Sequence, residues 1–172
     1  MESIDNGRIH LEDKVSCSEN ARNMGGSQIW LDETEQLTVE EMLKAICVVS
    51  ANDCCVAMAE HIAGSEQNFV KLMNEEVKRL GLKNTNFENC TGLPEANHYT
   101  SSYDIAVLAA DLLINYEENL FNHINIIVKS KDKWYNKWQV VFMDNIYLIC
   151  SNSFHLMEEE LKKILKDNPY TC

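Results

Sequence analysis

The chain has 172 residues, 45% of them apolar, enough for one domain with a real core and too apolar for a disordered chain. Fifteen Lys and Arg stand against 27 Asp and Glu, a formal charge of -12, which opposes binding to nucleic acid or anionic lipid through bulk electrostatics. The longest apolar run is far too short to cross a bilayer.

Residues 1–9 read as the tail of a helix that stops at Gly7, and a chain that begins inside a helix reads as truncated. Met1-Glu2-Ser3-Ile4-Asp5 is acidic and has no apolar h-region, so no signal peptide is expected. Residues 14–31 hold two extended pieces, Val15-Ser16-Cys17 and Ser27-Gln28-Ile29-Trp30-Leu31, around the turn-prone Gly25-Gly26. Residues 38–49 form a helix: Thr38 with Glu41 makes a capping box, and Val39, Met42, Leu43 and Ile46 make its apolar stripe. A second helix, 53–63, is built of Cys, Val, Ala and Met. It is expected to be capped by Asn52 or Asp53 and buried between neighbours. A third, 66–80, follows the cap Ser65 and ends at Gly81. Phe69, Leu72, Met73, Val77 and Leu80 share one face of it, and Phe69, Met73 and Val77 are expected to bury against helices 38–49 and 53–63.

Residues 84–99 form a long polar loop with Gly92, Pro94 and several Asn. A fourth helix, 101–115, is expected to be capped by Ser101 and Asp104 and to carry a stripe of Ile105, Leu108, Ala109 and Leu112. After Tyr116 the character changes. Three strand-like runs at 124–128, 138–142 and 146–149 are followed by an amphipathic helix at 154–166. No internal repeat or low-complexity tract occurs.

The seven Cys, at 17, 47, 54, 55, 90, 150 and 172, are odd in number and show no metal spacing. Cys47, Cys54 and Cys55 fall on apolar helical segments and read as free thiols acting as small hydrophobes in a reduced setting. The five His are scattered, and Glu60-His61 lacks the second His of a zinc helix. His61 is therefore expected near a packed helix face, and no metal is expected. Trp134, Tyr135 and Trp138 beside Lys131, Lys133 and Lys137 have the composition of a base-stacking patch, but the net charge favours a strand edge or turn.

The most informative element is Ser50-Ala51-Asn52, at the junction of the first two confident helices. Five further strings stand with it in order and at consistent spacing. They are Lys14-Val15-Ser16-Cys17-Ser18-Glu19-Asn20-Ala21, Met24-Gly25-Gly26-Ser27-Gln28-Ile29, Met58-Ala59-Glu60-His61-Ile62-Ala63-Gly64-Ser65, Leu80-Gly81-Leu82-Lys83-Asn84-Thr85, and Thr91-Gly92-Leu93-Pro94 with His98-Tyr99-Thr100-Ser101 and Tyr103-Asp104. From residue 4 to residue 113 the chain resembles the serine D-alanyl-D-alanine carboxypeptidases, the low-mass penicillin-binding proteins. These work with the motifs S-x-x-K, S-x-N and K-T-G.

The resemblance implies an α+β fold: a partial β-lactamase/transpeptidase-like domain over residues 1–115, mainly its helical lobe. Residues 116–172 would form a divergent strand-and-helix tail. It also implies acyl-enzyme hydrolysis of a terminal D-alanine, a peptidoglycan stem peptide or β-lactam as partner, and no cofactor. By resemblance Ser50 is the proton relay and Asn52 binds and orients the substrate amide. The family is exported, whereas this chain, without a signal peptide, is expected in the cytoplasm as it stands.

Two of the three motifs do not stand in context. Ser130-Lys131-Asp132-Lys133 alone has the S-x-x-K spacing, but it follows Ser50 and lies in a polar turn; no K-T-G or K-S-G occurs. The nucleophile motif belongs on the helix whose tail is residues 1–7, a short way before Met1. Triad-type sites lose most of their rate when any member is missing, so this chain is not expected to turn over alone. The reading left beside the truncated enzyme is a non-catalytic remnant acting as an interaction or structural module. With most of the family's sheet missing, helices 38–49 and 101–115 would leave apolar faces partly uncovered unless residues 124–149 replace the sheet, so that the chain self-associates or packs loosely.

Overall fold

The computed structural model describes residues 1–116. The strands expected at 124–149, the helix at 154–166 and Ser130 lie outside the described residues.

The helix tail is α1, Glu2–Asp5, and Gly7 beyond it takes a φ of +69°. Strand β1, Lys14–Ser16, pairs antiparallel with β2, Gln36–Thr38, setting Val15 opposite Leu37. Between them lies the short α2, Glu19–Arg22, whose cap Ser18 accepts from the Ala21 N–H at 3.0 Å. Neither α2 nor β2 is expected from periodicity, because each is too short to show one. Residues 27–31 are the opposite case. Their apolar run beside the turn-prone Gly25-Gly26 is expected to be extended, yet they form an irregular segment with Trp30 in the left-handed region.

The Thr38–Glu41 capping box is present at the start of α3, Val39–Val49, with Val39 and Met42 fully buried. Helix α4, Asn52–Ala63, is the centre of the fold and packs against α2, α3, α5 and β1. Its composition explains this. Cys54, Val56, Ala57, Met58 and Ala59 are buried, and small side chains let neighbouring backbones approach on several sides. Burial of each larger core side chain, such as Val56 or Met42, contributes roughly 1.5–3 kcal/mol.

Helix α5, Glu66–Arg79, starts at the Ser65 cap, and Gly81 beyond its end takes a φ of +67°. Its face is shallower than expected. Val77 is buried, Phe69 and Met73 are half-buried, and Leu72 is exposed. The reason is that α5 docks chiefly on α4, and α4 itself occupies the contact with α3.

The 84–99 loop is held by its own amides. Asn74 grips Phe87 at both backbone atoms, at 2.8 and 3.0 Å, and Asn86 pairs with Tyr99 in an antiparallel bridge. Helix α6, Ser102–Asn115, is capped by Ser101, which accepts the Asp104 N–H at 3.1 Å. Asp104 does not cap it. Its buried carboxylate turns to the preceding loop and accepts from Asn84 N–H and Thr85 O–H, both at 2.8 Å. The buried face of α6 is Ile105, Ala106, Ala109 and Ala110, with Leu108 and Leu112 half-buried.

Candidate active site

Helix α3 ends where Ser50 enters the left-handed region, φ 57° and ψ 45°, with its N–H still bonded to Ile46 O at 3.0 Å. A β-region Ala51, fully buried, then reverses the chain into α4. A side-chain cap from Asn52 or Asp53 is therefore not what starts α4: Ala51 holds the cap position and makes no side-chain bond. Asn52 and Asp53 already lie inside the first turn, and their side chains reach across to residues 25–31.

Asn52 is 6% exposed. Its backbone N–H donates to Ser27 O and its Nδ2 to Gly25 O, both at 2.8 Å. Gly26 lies directly against this amide, with a φ of +80°; a Cβ there would stand 2.5 Å from Nδ2. Asp53 is fully buried, and its carboxylate accepts from three backbone N–H groups. These are Cys54 at 2.9 Å, Ile29 at 3.2 Å and Leu31 at 3.1 Å. Such bonds satisfy a buried charge without a cation. The 25–31 segment is thus tied to the Ser50–Asp53 junction at four points.

Two consequences bear on chemistry. The Asn52 Nδ2 is committed to the protein, while its Oδ1 receives no donor among the described residues and is left as an acceptor. Ser50 is half-buried, and its Oγ makes no hydrogen bond among the described residues, so the hydroxyl is available to a ligand.

None of Cys17, Cys54, Cys55 and Cys90 is an activated nucleophile. Burial, aided by Asp53, pushes Cys54 and Cys17 up. Burial and the neighbouring Cys47 push Cys55 up to about 12, and burial with Glu66 pushes Cys90 up. All four stay protonated at neutral pH, and a protonated thiol attacks poorly. No disulfide joins the described cysteines to one another, in line with the reading of Cys47, Cys54 and Cys55 as small hydrophobes. No group of His, Cys, Asp and Glu able to hold a metal occurs among the described residues. His61 lies on an exposed face of α4 rather than against a packed one. No helix among the described residues is long and apolar enough to cross a membrane.

Sequence reasoning singled out Ser50 and Asn52, which the structure holds side by side, one half-buried and one pinned. It missed Asp53, Gly26 and Trp30. Their partners lie more than 20 residues away, and no local pattern marks such contacts.

The chain superposes on proteins of known fold. Penicillin binding protein 5 of Haemophilus influenzae superposes with a TM-score of 0.67 at 38% identity, covering 79% of this chain and 39% of that one. The D-alanyl-D-alanine carboxypeptidase DacD of Francisella tularensis gives 0.66 at 36% identity, over 68% of this chain and 28% of that one. The fold is therefore that of the penicillin-binding, transpeptidase-like proteins, present among the described residues as a helix-rich part with a small two-stranded sheet. Within that class, the chain belongs to the D-alanyl-D-alanine carboxypeptidase family, which it matches over residues 1–157.

The family match runs past residue 113, where the resemblance legible in the sequence stops. The D-alanyl-D-alanine carboxypeptidase DacF of Bacillus subtilis is 58% identical over 113 residues, 66% of this chain and 29% of the relative. DacA of Haemophilus influenzae is 40% identical over 119 residues, 67% of this chain and 30% of the relative. The chain spans under a third of the length of these relatives.

Proposed function

We propose that this chain carries the S-x-N portion of a serine-type D-alanyl-D-alanine carboxypeptidase site of peptidoglycan metabolism, with Ser50 as proton relay and Asn52 as the residue that orients the substrate amide. The observation that carries the reading is the contrast at one turn. The Ser50 hydroxyl lies on a left-handed corner and has no partner among the described residues, while Asn52 beside it is immobilised through Ser27 and Gly25 with its Oδ1 unused among those residues. A relay serine must be reachable, and an orienting amide must not move.

In the step proposed, a nucleophilic serine adds to the carbonyl between two D-alanines. The C–N bond then breaks, and the leaving amine takes a proton handed on through Ser50 Oγ. The partner is a peptide ending in two D-alanines, or a β-lactam in its place. The nucleophile and its lysine are not supplied before Ser50 within these 172 residues, and no K-T-G follows. A second reading stands beside it, a non-catalytic remnant serving as an interaction or structural module.

Mass spectrometry after incubation with benzylpenicillin separates the readings. The chain alone is expected to gain no covalent mass. Joined behind a family helix bearing S-x-x-K and supplied with a K-T-G strand, it is expected to acylate on that new serine. Ser50→Ala should slow this by roughly 10²–10⁴-fold, the usual worth of a positioned proton-transfer group. Acylation of the chain alone, or a joined protein indifferent to Ser50, would overturn the proposal.

A further inference from the structure

Cys47 and Cys55 stand on either side of the Ser50–Asn52 turn, Cys47 in the last turn of α3 and Cys55 in the first turn of α4. Only Ser50 and Ala51 separate the two helices, which pack against each other. In so tight a helix–turn–helix, residues at similar distances from the turn are brought near each other. Cys47 is the third residue before Ser50 and Cys55 the fourth after Ala51. Both are half-buried. Electrostatics agrees with this placement. After burial itself, Cys47 does most to hold Cys55 protonated, ahead of the Asp53 carboxylate on the same turn of α4. A Coulomb interaction falls with separation, so the two thiols are near neighbours. The other thiols around α4 are engaged elsewhere. Cys54 is fully buried, and Cys90 Sγ donates to the Glu66 carboxylate at 3.4 Å.

We propose that Cys47 and Cys55 are a redox-modification site: exchange with a low-molecular-weight disulfide joins them in a reversible bridge that staples α3 to α4 across the Ser50–Asn52 turn. The exchange balances within these groups. Cys47, as its thiolate, attacks one sulfur of the small disulfide, and the other half leaves as a thiolate. Cys55 then gives up its proton and attacks the Cys47 sulfur, releasing the second half. Two protein thiols become one S–S bond, and one small disulfide becomes two small thiols. Cys47 goes first because Cys55 is held protonated, and a protonated thiol attacks poorly. Capping Cys47 removes the charge that does most, after burial, to keep the Cys55 proton on, so the first step prepares the second. The second step is intramolecular and has the advantage of a high effective concentration. The ring so closed, residues 47–55, contains the whole S-x-N element. Closing it restrains the turn whether or not that element takes part in catalysis.

The test incubates the full reduced chain with glutathione disulfide, quenches it in acid, and maps the peptides by mass spectrometry without reduction. A Cys47–Cys55 peptide lacking two hydrogens is expected, and dithiothreitol should reverse it. Cys90→Ser should leave that peptide in place. Cys55→Ser should stop the reaction at the mixed disulfide on Cys47, and Cys47→Ser should leave Cys55 largely unmodified. The map of the unsubstituted chain decides the matter if a variant does not fold. The bridged chain is expected to melt about 5 °C higher than the reduced one, in keeping with a short closed loop. Hydrogen exchange at the Ser50 and Asn52 amides should be slower by ~10-fold or more. A bridge from Cys55 to Cys90 or to any cysteine other than Cys47 overturns the proposal, as does a chain that stops at mixed disulfides or stays reduced. A Cys47–Cys55 bridge that leaves both Tm and the exchange of the turn unchanged overturns the staple.

Discussion

Gly26 packs onto Asn52 so closely that a methyl group could not be placed between them: an added Cβ would stand 2.5 Å from the amide Nδ2. Its φ of +80° adds a second reason for glycine. Gly26→Ala is expected to destabilise the chain by about 2 kcal/mol or more, combining left-handed strain with displacement of the amide. The contact itself can be isolated. In the background of Asn52→Ala the Gly26→Ala cost should fall to the strain alone, about 1 kcal/mol, so a double-mutant cycle in urea should show clear coupling. Additive effects would mean that the amide does not sit on Gly26.

Asp53 should be the most sensitive polar position of the described residues. Asp53→Ala removes the acceptor for the Ile29 and Leu31 N–H groups at a fully buried site. The expected cost is about 3 kcal/mol, since each stranded donor carries its own desolvation penalty. Glu33→Gln is the control. Its ion pair with Arg22 is half exposed on both sides, and such pairs typically contribute about 0–1 kcal/mol. Similar losses from the two changes in a denaturant titration would refute the clamp.

Phe69 reads from sequence as a core anchor of α5, which would make Phe69→Ala cost about 3–5 kcal/mol. Its half-buried position reduces the expectation to about 1–2 kcal/mol, in proportion to the area withdrawn from water. A loss above ~4 kcal/mol would show that α5 docks more deeply than the structure has it.

The thiols make stability fall in alkali. Burial first, then neighbouring Cys47, raises the folded-state value of Cys55 to about 12, and Cys54 and Cys90 move the same way. An unfolded thiol ionises near ~8.5. Above that pH the unfolded chain binds fewer protons than the folded one, so the free energy of unfolding declines as pH rises towards 12. The contribution is fully present below the unfolded value. Chemical denaturation from pH 7 to 10.5 should show the midpoint level at first and then falling. The fall should be smaller in Cys55→Ala and Cys90→Ala. Rapid alkylation of Cys55 by iodoacetamide in the native chain at pH 8 would contradict its protonated state.

What the sequence by itself determined is local or periodic. The Thr38–Glu41 box, the Ser65 and Ser101 caps and the small-residue surface of α4 all follow from spacings of a few residues. Helical geometry makes such spacings meaningful wherever they occur. Ser50-Ala51-Asn52 was legible for a related reason, because ordered strings around it set the chain in a family. Only the tertiary structure decided how the junction is built. It turned residues 27–31 from an expected extended piece into an irregular loop, made Asp53 a clamp rather than a cap, and turned Asp104 away from its own helix. Each of these side chains satisfies a backbone N–H 20 or more residues away. A buried carboxylate takes whichever donors the packed chain brings to it, and that choice leaves no trace in the residues next to it along the sequence.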